Sequence, residues 1–212
     1  MRGLLVAFLI ALAGHTAAAK RMVIMEPPLA RACPSAKSWP QLADCMKLHG
    51  LKGTVVRQID DAKLVVVQPL EAKQGEIEAW ALYVAAGTGW KLGGLAQNGG
   101  FLADAEVLRL ERVTSGARHG YRFDIATSQQ SSVSLDQVTV QSSLLRETQA
   151  TFCSGLGYSC MTIVPSCEQL VFGQTVLAFE GSIAIKDNQI QVTGVGSQPS
   201  CSSAETYTAM FQ

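Results

Sequence analysis

Charge is scarce in this chain, and histidine is scarcer. Asp, Glu, Lys and Arg make up 16% of the 212 residues, and the 17 basic residues only match the 17 acidic ones. A neutral chain offers no electrostatic footing for nucleic acid or an anionic membrane, so neither is expected as a partner. Of three histidines, His15 lies in the leading apolar segment. Imidazole chemistry therefore rests on His49 or His119. They are far apart with no third ligand in sight, and each has an ordinary place, at a helix end and in a turn.

Sequence signatures of common catalytic sites are missing too. No G-x-S-x-G elbow, no Walker sequence and no C-x-x-C pair occurs, which removes local support for an α/β-hydrolase nucleophile, a phosphate loop and a thioredoxin-like redox centre. Gly87-x-Gly89-x-x-x-Gly93 lies between two expected strands with no helix behind it, so it reads as a hairpin turn. Carboxylate pairs are the remaining enzymatic option. Glu76 and Glu78 share a strand face and Asp60 and Asp61 sit in a turn, yet any solvated strand face looks the same. No cofactor or metal is implied.

Long apolar runs are absent as well. The longest, Leu4–Ala13, follows Met1-Arg2 and precedes Ala17-Ala18-Ala19. At ten residues it reaches about 15 Å as a helix, half of a bilayer core. It reads as a signal peptide over residues 1–19, with the mature chain starting near Lys20 and no transmembrane segment after cleavage. The expected location is periplasmic or extracellular.

Cysteine is what the chain does have. Cys33, Cys45, Cys153, Cys160, Cys167 and Cys201 all follow the leader, and an even count in an exported chain argues for disulfides. Position favours Cys33–Cys45. Among the rest, Cys153–Cys160 with Cys167–Cys201 is preferred, and Cys153–Cys167 with Cys160–Cys201 stays open.

One helix is expected, Ser38–His49, with Ser38 as cap, Pro40 in the first turn and Gly50 as terminator. Beyond it, turn signals recur every 8–14 residues or so, as in an antiparallel all-β chain. Hairpins are expected at Thr54–Ile59/Lys63–Gln68, at Glu76–Ala85/Trp90–Leu95 and, most strongly, at Ser182–Lys186/Gln189–Thr193. Glu106–Val113 is drawn towards strand by the alternating Tyr121–Ile125. Val133–Val140 reads as one strand, Leu170–Glu180 as another bent at Gly173, and Thr206–Phe211 as a closing strand. Ser128–Ser132 reads as a polar loop tip that could divide the chain. The fold class is thus mainly β, an antiparallel sandwich or rolled sheet of hairpins with one short N-terminal helix, as a single domain over residues 20–212.

Aromatics supply the binding candidates Trp80, Tyr83 and Trp90, on two strands of one hairpin. Trp80 and Tyr83 point to opposite faces, so only one can share a face with Trp90. They pair in a core or form a platform for a glycan or peptide. The functional expectation is an exported, non-enzymatic binding or interaction protein for an unknown protein, peptide or glycan. The alternatives are a carboxylate hydrolase and a disulfide-stapled inhibitor or structural envelope protein.

Overall fold

The structure, a computed structural model, describes residues 28–71, 76–96, 100–101, 104–135, 138–196 and 206–208. The expected leader, Cys201 and the end of the expected closing strand lie outside them.

In chain order the elements are α1 (Pro28–Ala32), β1 (Ser35–Ala36), α2 (Trp39–Leu48), β2 (Leu51–Ile59), β3 (Ala62–Pro69), β4 (Glu76–Ile77), β5 (Ala79–Ala86), β6 (Gly89–Ala96) and β7 (Gly100–Phe101). Then come β8 (Ala105–Ser115), β9 (Arg118–Leu135), β10 (Val138–Cys153), β11 (Cys160–Val171), β12 (Gln174–Lys186), β13 (Gln189–Gly196) and β14 (Thr206–Thr208). A five-stranded sheet runs β1-β6-β5-β3-β2, a seven-stranded sheet runs β14-β13-β12-β11-β10-β9-β8, and β4 pairs with β7. The described strands pair antiparallel, as expected, and the larger sheet curls into a half-barrel.

Local chemistry explains the elements. Ser38 accepts from the Gln41 amide at 3.5 Å, Pro40 stands in the first turn, and Gly50 follows in the left-handed conformation at φ +74°. Leu42 and Met46, one turn apart, bury one face of α2. Asp187 and Asn188 take φ of 50° and 59° between β12 and β13, the mirror-image turn that suits strand twist.

Four expectations change. The Ser128–Ser132 segment is no loop tip: it runs as strand within β9, paired residue by residue with β10. Its polar composition reflects exposure, because a strand with no face to bury need not alternate. Val133–Val140 is not one strand, since β9 ends at Leu135 and β10 begins opposite it at Val138. Leu170–Glu180 is likewise two strands. Phe172 and Gly173, at φ 47° and 80°, form a two-residue turn between β11 and β12. The glycine read as a bend is the second half of a reversal. The expected strand over 76–85 is also interrupted, at Glu78, whose amide donates to Val67 O.

Burial follows three layers. Helices α1 and α2 cover one face of the five-stranded sheet through Leu29, Leu42, Met46, Val65, Val67 and Tyr83. Its other face, with Leu64, Val66, Trp80 and Leu82, packs on Leu110, Tyr121, Phe123 and Ile125 of the large sheet. A third cluster, including Val113, Phe152, Ile163, Phe179, Ile190 and Val192, fills one end of the curl. There the Asn188 amide donates to Ser115 Oγ at 2.6 Å, tying the β12–β13 turn to the end of β8.

Two disulfides are present, Cys33–Cys45 and Cys153–Cys160. Cys167 is not a free thiol; the expected Cys167–Cys201 bridge reaches a residue outside those described.

Candidate functional site

The expected aromatic platform is not assembled. Trp80 and Tyr83 are buried on opposite faces of the five-stranded sheet. The Tyr83 hydroxyl donates to Cys33 O at 3.1 Å, and burial pushes its phenol well above the ordinary range. Trp39 meets the Tyr83 ring edge-on at 6.4 Å. Trp90 alone is half-exposed, and Lys63 Nζ sits 4.6 Å from its ring centroid while bonding Gln58. Alternation along β5 sends the two large rings into separate cores.

The other sequence candidates stay dispersed. His119 is exposed on β9 opposite Thr114. His49 lies with Cys33 and Cys45 in a group whose potential ligand atoms are within 4.8 Å of one another. The two sulfurs are bonded to each other, so no thiolate is left for an ion. Glu76 and Glu78 are exposed at the β4 end. Asp61 instead joins the two sheets: its carboxylate accepts from Tyr121 Oη at 2.7 Å and pairs with Arg112 at 3.5 Å. Burial first, and then the bond to Asp61, push the Tyr121 phenol up to about 12.

A concavity of about 970 Å³ lies inside the curl of the seven-stranded sheet. Register builds it. Glu106, Ala126, Thr148, Ser166, Glu180 and Val195 are successive opposed partners across β8, β9, β10, β11, β12 and β13. A second row joins Ser128, Arg146, Glu168 and Ala178. Opposed residues of antiparallel neighbours project to the same side, so each row forms a stripe. Small side chains in mid-row, Ala126, Thr148, Ser166 and Ala178, keep the trough open. Its lining carries Asp104, Glu106, Glu168 and Glu180 against Arg146, a net of −3 (one minus four), while Glu147, between Arg146 and Thr148, alternates to the other side of β10. Arg146 is paired with Glu168 at 3.3 Å, and Thr175 also donates to that carboxylate.

Between trough and apolar end lies a charged layer. Arg122 holds Asp124 through two bonds of 2.7 and 2.8 Å, and Arg109 approaches the same carboxylate at 3.5 Å. The Arg122 guanidinium rests over Phe152 at 5.5 Å. Asp124 is 5% exposed, and its carboxylate links Arg122 of its own strand to Arg109 of β8, whose side chain stays about half exposed.

Comparison with known proteins finds no match among family models, curated proteins or solved structures. The site therefore rests on its own geometry. Among the described residues no helix is long and apolar enough to cross a membrane, which says nothing of strands. Two disulfides are compatible with export.

Proposed function

We propose that this chain is an exported binding protein that takes an extended, cationic polypeptide segment in the trough of the seven-stranded sheet. The observation that carries the reading is four carboxylates and one already paired arginine around a single open concavity. Adjacent strands lie about 4.8 Å apart, so six strands span roughly 24 Å, the length of about seven extended residues. Alternate side chains of such a segment face the sheet. Lysine or arginine at those positions meets Glu106 and Glu180 in one row and Glu168 in the other, and Ala126 and Ala178 leave space for the backbone. Export is supported by the leading apolar segment with its small-residue flank and by the disulfides. N-terminal sequencing of protein recovered outside the cytoplasm should begin near Lys20, and a retained Met1 contradicts export.

Titration calorimetry with a seven-residue peptide of alternating lysine and alanine tests the binding reading. Binding should weaken by about tenfold or more in the Glu106→Gln/Glu180→Gln variant and should fall with added salt. Equal affinity for a glutamate/alanine peptide, or no effect of the double variant, overturns it.

A further inference from the structure

Cys33, Cys45 and His49 meet where the two helices join. Cys45 lies in the last turn of α2 and His49 is its C-cap, so the two stand one turn apart on one side of it. Cys33 follows α1, its amide donating to Leu29 O at 2.9 Å. The two sulfurs and a ring nitrogen of His49 lie within 4.8 Å of one another. Two cysteines and an imidazole are a zinc-type ligand set, provided that each sulfur is a thiolate. While the sulfurs are bonded to each other, the set is latent.

The spacing suits an ion. Around a tetrahedral centre with metal–sulfur bonds near 2.3 Å and metal–nitrogen bonds near 2.1 Å, ligand atoms stand roughly 3.5–3.8 Å apart. With the Cα atoms of the two cysteines 6.0 Å apart, rotation of the freed side chains reaches that spacing without moving the backbone. The backbone is held by contacts other than the bridge. The Tyr83 hydroxyl donates to Cys33 O, the Leu92 amide donates to Pro34 O at 2.8 Å, and Leu42 and Met46 seat α2 on the five-stranded sheet. His49 is exposed and Cys45 half-buried, so a reductant and then an ion reach the set from solvent.

We propose that reduction turns the Cys33–Cys45 bridge into a site for a thiophilic divalent ion of the zinc type, held by both thiolates and His49. A dithiol donor supplies two electrons and two protons: the S–S bond opens, both sulfurs become thiols, and the donor closes its own disulfide. The ion then displaces the two thiol protons to solvent and takes the lone pair of a neutral imidazole nitrogen, leaving the fourth position to water. The coupling is reciprocal, because an ion bound only to the thiolates shifts the couple towards the reduced form. Among the described residues, no third ligand is grouped with Cys153 and Cys160, so that bridge offers a pair only. This inference is independent of what the trough binds.

The full chain, reduced with a phosphine and freed of it, is titrated with Zn2+ by calorimetry beside the oxidised chain. The reduced chain should bind the ion and the oxidised chain should not. Bound Zn2+ should slow alkylation of Cys33 and Cys45, mapped by peptide mass spectrometry, by about tenfold or more, and leave Cys153 and Cys160 as reactive as before. His49→Ala should weaken binding by at least about tenfold, since losing a ligand costs no less than losing its outer partner. With Co2+ in place of Zn2+, the same variant should shift the thiolate charge-transfer band, which a merely structural histidine would leave alone. Circular dichroism follows the fold of each form. Equal Zn2+ binding by the oxidised chain overturns the proposal, as does a reduced chain that binds none or that unfolds and is not restored by Zn2+. Unchanged alkylation of Cys33 and Cys45, or a His49→Ala chain that binds as tightly as wild type, overturns it too.

Discussion

Gly155 shows how one residue joins two sheets. It lies in the loop closed by Cys153–Cys160, at φ +79°, and an added Cβ would stand 2.8 Å from Tyr121 Cε2. Its amide donates to Gly93 O at 3.1 Å. Beside it, a Cβ on Gly94 would stand 2.7 Å from that of Cys153. Gly155→Ala should destabilise by roughly 2–4 kcal/mol in chemical denaturation, from backbone strain plus overpacking; a loss under about 1 kcal/mol contradicts the contact. Sequence could mark Gly87 as a turn, but not Gly93 and Gly94 as landing points, because closeness to a loop some 60 residues on leaves no local pattern.

Tyr83 and Tyr121 set an alkaline limit at the same scale. Both phenols are raised above their ordinary value near 10, so the folded state holds protons that the unfolded chain releases. Their contribution is complete below pH 10 and declines as pH climbs through 12. Denaturation midpoints should fall over that window, and Tyr121→Phe should flatten the decline. An unchanged slope in the variant contradicts the raised Tyr121 phenol, held up by burial first and by Asp61 second, as a source of the decline.

Elements were legible in proportion to how local their causes are. The α2 cap, its terminating Gly50 and the Asp187-Asn188 turn each depend on a few neighbouring residues, and they stand where the sequence puts them. The polar Ser128–Ser132 segment was misread because its strand state comes from β10 pairing, not from a buried face. The Phe172-Gly173 reversal was hidden by a large apolar residue at positive φ, which strongly disfavours such residues. The Cys153–Cys160 bridge holds the end of β10 to the start of β11. Replacing both cysteines by serine should cost about 2–3 kcal/mol, given so short a loop. A melting temperature equal to wild type contradicts a stabilising role.

At the scale of the molecule, the trough is a product of register alone. Glu106, Glu168 and Glu180 sit on three different strands, and no spacing rule in the sequence collects them. Only pairing across β8 to β13 puts Glu106 and Glu180 in one stripe. Trp80 and Tyr83, conspicuous in the sequence, went to opposite cores instead. Conspicuous aromatics build this protein, whereas its candidate site is made of ordinary acids and small residues.

The most direct test of the trough is backbone-amide NMR of the chain titrated with the lysine/alanine heptapeptide. Shifts should concentrate at Glu106, Ala126, Thr148, Ser166 and Glu180, leaving the amides around Trp90 and α2 unmoved. Shifts centred on Trp90, or none at all at saturating peptide, contradict a cationic segment seated in the curled sheet.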